Sequence, residues 1–415
     1  MIDISAFKNI SHRIDTYKDA MIKMQINLTA IPAMSPDNGG DGEYEKAKYL
    51  LSQLRDAEFF NIIEIDASDN RVSSQIRPNI FVTIPGKNTN KVIWILTHID
   101  IVPPGERGLW DEDPFNGYVK DGKIYGRGTE DNQQDLVASV FAAKAFSDEG
   151  IIAENTIGLA FVADEETASH YGLSYVLQHK DNPIRKTDII VVPDSGNENG
   201  TMIEIAEKSI LWLRFRTIGK QCHASRPNFG NNAFQAASHL VVLLNNLHQI
   251  FNASDPFYQP ETSTFQPTKK EPNIPNINTI PGEDVFYMDC RILPHYRLSD
   301  VFHEIRKIAD EIEQQLQVSI EITAIQEVQS PSPTQFDAPV VSALQEAIKY
   351  VYHVTAVPQG IGAGTIAAVF RENNYPAAVW SKVNHTAHQP NENCLIANMI
   401  GNAKVYAHMF MQRDS

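Results

Sequence analysis

A chain of 415 residues is too long for one ordinary domain, so two domains with ample core are expected. It is 42% hydrophobic and 21% charged, as globular proteins are, and its net charge of −16 argues against nucleic acid or an anionic membrane as partner. Three cysteines, Cys222, Cys290 and Cys394, show no CxxC spacing, which argues against a disulfide framework or a cysteine-built metal site and suits a reducing compartment.

The N-terminal stretch through Pro36 carries charges throughout, lacks the apolar core of a signal peptide and spaces its apolar residues as an amphipathic helix does. No apolar run is long enough to span a bilayer, and a cytoplasmic protein is expected. Strand and helix then alternate. "KVIWIL" (Lys91–Leu96), "IGLAFV" (Ile157–Val162) and "DIIVV" (Asp188–Val192) are β-branched and aromatic runs suited to buried strands. Between the first two lies "DLVASVFAAKAF", where Leu136, Val137, Val140 and Phe141 share one helical face. Such alternation implies an α/β layer with a mainly parallel sheet.

Near residue 208 the texture changes. "LWLRFRTI" alternates apolar with polar, as in a sheet with one solvated face. A helix ("NAFQAASHLVVLLNNLHQI"), a Pro/Asn-rich loop, the strand pair "INTIPGEDVFYMDCRI", a charged helix ("VFHEIRKIADEIEQQL") and the strand "VSIEITAI" follow. That βαββαβ order is the split βαβ of a ferredoxin-like α+β sandwich. After "QSPSPTQFDAP", a linker, α/β texture returns. The simplest organisation is a catalytic domain from 1–208 and 327–415, with a mainly parallel or mixed sheet flanked by helices, and an inserted domain at 209–326.

The chemistry follows the strands. "KVIWIL" leads into "THIDIVPP", with His98 and Asp100; "GRGTEDNQQD" carries Asp131 at the opening of the helix. "IGLAFV" leads into "ADEET", with Asp164, Glu165 and Glu166; "DIIVV" leads into "PDSG", with Asp194; and "NHTAHQPNE" adds His388 late in the chain. The first four clusters are each about one βα unit apart, so they converge at the carboxyl edge of the sheet, where open α/β sheets bind ligands. Singly each is weak: an HxD at a strand end is more often structural, and an Asp opening a helix commonly serves only the cap or the dipole. Together they offer an imidazole and a carboxylate per ion, plus a shared carboxylate, a shell suited to paired Zn²⁺ or similar cations. Two such ions about 3.5–4 Å apart can share a hydroxide and polarise a carbonyl.

In order, "THIDIVPP", "GRGTEDNQQ", "ADEET", "VPDSG", "CHASRP", "NTIPG", "DCRILP" and "HQPNE" resemble the serial motifs of the di-zinc aminoacylases and ArgE/DapE-type metallopeptidases, from about residue 90 to 395. That family includes acetylornithine deacetylase, succinyl-diaminopimelate desuccinylase and glutamate carboxypeptidase. The resemblance implies the same two-domain layout, the inserted domain acting as lid and dimerisation surface. It implies two divalent metal ions, zinc first, with cobalt and manganese also suited. His98 and Asp194 would hold one ion, Glu166 and His388 the other, and Asp131 would bridge them. Asp100 would accept a hydrogen bond from the His98 imidazole and fix its tautomer. Glu165 would act as general base on the shared water and then pass the proton to the leaving amine. A cis peptide is implied between Asp131 and Asn132.

In the inserted domain the resemblance makes His223 a donor to the tetrahedral oxyanion, often in the other subunit's site. It makes Arg291 a fork for the substrate carboxylate and Asn278 a further substrate contact. The glycine turn Gly362–Thr365, with Gly364 and Thr365, could turn backbone amides to a carboxylate. Two departures stand out. Asp131 is followed by Asn132, Gln133 and Gln134 where the family often has Lys-Gly, and Ile366 stands where it often has an acid. The function implied is a metal-dependent hydrolase that cleaves the amide bond of an N-acyl amino acid, such as a deacetylase or desuccinylase. The alternative is a dipeptidase or carboxypeptidase on small peptides. A homodimer through the inserted domain follows from the resemblance alone.

Overall fold

The computed structural model describes residues 2–413. Two compact units emerge. The larger comprises the chain up to Ile205, Thr334–Pro358 and the chain from Thr365 onward; the smaller comprises Ala206–Pro333 and Gln359–Gly364. The joints lie at 205/206 and 333/334, a few residues outside the 208/209 and 326/327 read from sequence texture. Thr334 accounts for one of these differences. Its amide donates to the Ile205 carbonyl at 2.9 Å and its hydroxyl to the Ala377 carbonyl at 2.6 Å, so the chain is already anchored to the larger unit there.

In the larger unit, strands run in the order Ile62–Glu64, Ile80–Ile84, Asn155–Val162, Asn88–His98, Ile189–Asn197, Ala377–Lys382 and Met202–Glu207. The sheet is mixed. Its central four strands are parallel, and antiparallel neighbours flank them on both sides. Asn155–Val162 is buried along its whole length, as a strand covered on both faces must be. One face packs on Leu173, Val176, Ile366, Ala367 and Phe370. The helix Gln134–Asp148 lies against the strands Asn88–His98 and Asn155–Val162. Its expected face of Leu136, Val137, Val140 and Phe141 is buried, but so are Ala138, Ala142, Ala143, Ala145 and Phe146. The reason is a further layer: helices Ile4–Thr16, Lys18–Thr29 and Ile396–Phe410 pack against it. Ile4–Thr16 begins where the Asp3 carboxylate accepts the amides of Ser5 and Ala6 at 3.0 Å, and it buries Phe7, Ile10 and Ile14.

The smaller unit is a four-stranded antiparallel sheet in the order Thr264–Lys270, Glu283–Ile292, Ser209–Ile218, Ser319–Val328. Along Ser209–Ile218, Leu211, Leu213 and Phe215 are buried while Trp212 is exposed. They join Ala236, Leu240, Val301, Ile305 and Ile312 of the helices Ala233–Leu244 and Leu298–Leu316 in one core. The βαββαβ order holds, but its second strand is "TFQPTKK" and not the first half of the expected pair. Pro267 made this run look like loop, yet at a sheet edge a proline removes no needed donor. Thr279–Ile280 pairs instead with Cys222–His223, outside the main sheet.

Candidate metal centre

The four parallel strands all end at one place. Asn88–His98 ends on His98, Asn155–Val162 leads to Glu165 and Glu166, Ile189–Asn197 carries Asp194, and Ala377–Lys382 leads to the loop of His388. Asp131 enters from the irregular turn before Gln134–Asp148. That turn starts at Gly128, whose φ of 83° and the Ile101 Cγ2 atom 2.6 Å from a would-be Cβ leave room only for glycine.

The Asp131 carboxylate lies between two imidazoles. Its Oδ1 is 2.9 Å from His98 Nε2, and its Oδ2 is 3.1 Å from His388 Nε2. Asp194 Oδ1 lies 3.4 Å from His98 Nε2, and Glu166 Oε2 lies 3.2 Å from His388 Nε2. Among the described residues two groups with converging ligand atoms result, His98–Asp131–Asp194 and Asp131–Glu166–His388; a third, His98–Glu165–Glu166, shares His98 and Glu166 with them. Imidazole nitrogens and carboxylate oxygens suit zinc or a neighbouring divalent metal. The peptide between Asp131 and Asn132 is cis.

The groups behind these side chains explain their placement. His98 Nδ1 lies 2.9 Å from the backbone oxygen of Asp100, while the Asp100 carboxylate is 3.6 Å away. The tautomer is therefore set by the Asp100 carbonyl, where the sequence pointed to its carboxylate. That carboxylate instead accepts the amides of Glu165 at 3.1 Å and Glu166 at 3.0 Å. Asn132 accepts the His98 amide at 3.3 Å and reaches Asp194 at 3.5 Å. The departures after Asp131 have local work: Gln133 accepts the Thr29 hydroxyl at 2.9 Å, and Gln134 donates to the Lys382 carbonyl at 3.2 Å.

Asp164, left without a role by the sequence, has φ 61° and turns away from its neighbours. It accepts the Thr167 hydroxyl at 2.5 Å, the Tyr171 amide at 3.0 Å and Arg77 at 3.2 Å. Arg77 is fully buried and also pairs with Glu43 and Asp69. Sequence reasoning missed Arg77, Glu130 and Glu392. Glu392 accepts the amides of Gly128 at 3.0 Å, Glu130 at 2.9 Å and Asp131 at 3.1 Å, with Arg127 as its cation. Glu130 accepts the amides of Asn384, Thr386 and Ala387. Both acids stand inside motifs already singled out, but only the fold shows that each serves the other's loop.

Burial and neighbouring carboxylates dominate the electrostatics. Burial, then the Asp131 charge, push Glu166 up to about 7. Glu165 is raised well above the carboxylate range by burial and then by Asp194. Hydrogen bonds to Asp131 and Glu166 push His388 up to about 11. Burial opposes a charge on His98, but Asp100, Asp131 and Asp194 together raise it. The carboxylates here outnumber the imidazoles, and divalent cations set among them would supply the further counter-charge.

The remaining predicted residues belong to the smaller unit, apart from Thr365. His223 is exposed, and its Nδ1 accepts the Ser225 amide at 3.1 Å. It pairs with Thr279 across the short ladder, beside Asn278, whose carbonyl accepts the Ala224 amide at 2.8 Å. The Arg291 guanidinium is held in a two-point contact by Asp289, at 2.8 and 3.0 Å, and donates to the Gly362 carbonyl at 3.2 Å. The turn thus offers Arg291 a carbonyl, where amides facing an anion were expected. Gly364 packs near Ile210, and the Thr365 hydroxyl accepts the Ala367 amide at 3.3 Å, opening the helix Ala367–Glu372. Ile366 is 4% exposed and lies in the apolar core, which accounts for the missing acid.

The family description "Peptidase family M20/M25/M40" matches residues 94–412. An uncharacterized metallohydrolase of Methanococcus maripaludis is 41% identical over 406 residues, covering 94% of this chain and 98% of the relative. Succinyl-diaminopimelate desuccinylase 1 of Ruegeria sp. is 23% identical, covering 94% and 97%. Human carnosine dipeptidase 1 superposes with a TM-score of 0.76 at 16% identity, covering 99% of each chain, and so shares the fold. No helix among the described residues is long and apolar enough to cross a membrane. The chain belongs to peptidase family M20/M25/M40 and is a metallohydrolase.

Proposed function

We propose that the protein is a dinuclear, zinc-preferring amidohydrolase that releases an amino acid from its N-acyl derivative. The observation that carries this reading is the Asp131 carboxylate set between His98 and His388, each imidazole backed by one further acid, Asp194 or Glu166. Likeness to the desuccinylase of Ruegeria sp. supports an N-acyl amino acid as substrate class. Bound divalent ions would supply Lewis-acid polarisation of the scissile carbonyl and a more acidic water.

The protein's own groups do the rest. Asp131, Asp194, Glu166, His98 and His388 would hold the ions. Glu165 would take a proton from the attacking water and deliver it to the leaving amine; burial and then the Asp194 charge raise its affinity for protons above that of an ordinary carboxylate. For the smaller unit we assign His223 as donor to the developing oxyanion, Arg291 as the fork for the substrate carboxylate, and Asn278 and Gly364 as lesser substrate contacts, with Thr365 of the larger unit as another. A homodimer through the smaller unit is part of the same proposal, supported by the sheet-edge strand Thr264–Lys270 and the exposed Phe234 and Val242 on the adjacent helix. Cytoplasmic location is proposed from the thiol chemistry: three free cysteines and no disulfide among the described residues.

The test is a screen of N-acetyl, N-succinyl and N-formyl amino acids against dipeptides, with and without chelator. Chelator-sensitive release of the amino acid from an N-acyl compound is expected. Turnover confined to dipeptides would replace deacylation with the peptidase reading, and chelator-resistant turnover would remove the metal from it.

A further inference from the structure

Glu130 neighbours the bridging aspartate yet belongs to none of the ligand groups, and at 3% exposure it is buried. Its carboxylate faces the loop that bears His388. One oxygen accepts the Asn384 amide. The other accepts the amides of Thr386 and Ala387, the latter at 3.0 Å, and lies 2.9 Å from the Thr386 hydroxyl. This loop contains no helix or strand, and His385 and His388 both take positive φ, at 59° and 62°. A carboxylate thus satisfies amides that regular structure would otherwise have paired.

Resting on the metal reading above, we propose that Glu130 is a positioning residue for the ion half-site of Glu166 and His388. It acts through the backbone of 384–387. Glu130 and Asp131 are consecutive, so the group that grips the His388 loop and the group that faces His388 Nε2 at 3.1 Å share one turn. Glu392 completes the brace from the other side by gripping the amides of Gly128, Glu130 and Asp131. The opposite half-site needs no such clamp. His98 ends a central strand and is held by Asn132 and the Asp100 carbonyl, and Asp194 lies within a strand. A buried acid with a merely structural role would weaken both half-sites alike, whereas a clamp on one loop weakens only one.

The experiment titrates metal-free full-length protein with Co²⁺, followed by visible absorption and calorimetry, for wild type, Glu130→Gln, His388→Ala and the double variant. Wild type should take up two ions. Glu130→Gln replaces one acceptor oxygen by a donor facing backbone N–H groups, and should weaken the second ion about 10–100-fold while leaving the first unchanged. In the His388→Ala background the same change should weaken it no further, because the group it positions is gone. Glu130→Asp, which keeps the charge but falls short by one methylene, should give an intermediate loss and serves if Glu130→Gln fails to fold. Unchanged affinities, equal loss of both ions, or an undiminished effect in the His388→Ala background would each overturn the clamp. Wild type binding fewer than two ions would overturn the dinuclear reading and this inference together.

Discussion

Replacing Lys46 with methionine should stabilise the larger unit. Lys46 lies on the helix Tyr44–Asp56, fully buried, and its ammonium has no hydrogen-bond partner among the described residues. Burial draws its pKa from 10.5 down to about 8, against the pull of Asp100, Glu43 and Glu392 in the other direction. At about 1.4 kcal/mol per pH unit, that difference is about 3 kcal/mol borne by the fold at pH 7. The sign follows from the protons: between pH 8 and 10.5 the unfolded chain holds a proton here that the folded one has released. The destabilisation is therefore complete below about pH 8 and fades as pH rises towards 10.5. Methionine fills a similar volume without the charge. Urea unfolding at equal metal loading, followed by the fluorescence of buried Trp94 and Trp380, should show the variant more stable by about 3 kcal/mol at pH 7 and by under about 1 kcal/mol at pH 10. A variant no more stable than wild type at pH 7, or a gap that does not narrow with pH, would refute the reasoning.

Glu165→Gln should retain both ions by elemental analysis while turnover falls by about 10²–10⁴; near-normal turnover would remove Glu165 from the proton path. Arg77→Met should cost about 3–5 kcal/mol in the same unfolding assay, because Glu43 and Asp164 would be left buried without their cation. Arg291→Lys cannot reproduce the two-point contact with Asp289, so KM for an N-acyl amino acid should rise about tenfold with kcat little changed. A fall in kcat at constant KM would argue against a binding role for Arg291.

Much of this organisation was legible because it is written locally. Runs such as "IGLAFV" declare buried strands, and the acids and imidazoles that follow them declare an edge, since the carboxyl ends of parallel strands must face one way. What stayed hidden was non-local or masked by a local rule. Pro267 concealed an edge strand that only its neighbour Glu283–Ile292 makes possible. Helix Gln134–Asp148 showed one apolar face, because its second buried side is rich in alanine and gains meaning only from the helices laid over it. Glu130 and Glu392 lie more than 250 positions apart in sequence, so no spacing rule could pair either with the other's loop. Lys46 and Arg77 carry charges that a sequence reading assigns to solvent, yet both are buried.

The three consecutive acids at 164–166 are compatible because they do not share one environment. The positive φ of Asp164 turns its carboxylate down to Arg77, so its charge is met within the fold. Glu165 and Glu166 hang from Asp100 by their amides, which leaves both carboxylates free to face the cluster of His98, Asp131 and His388. Asp100 therefore orders the site twice: its carbonyl orients the His98 imidazole while its carboxylate fixes the turn that presents both glutamates. This also separates what the neighbouring acids can do. A change at Asp164 would act on the fold through Arg77, whereas a substitution at Asp100, which keeps the carbonyl facing His98, would release the turn that presents Glu165 and Glu166. Asp100 thus joins Glu130 and Glu392 as an acid outside the ligand groups that orders the loops carrying them.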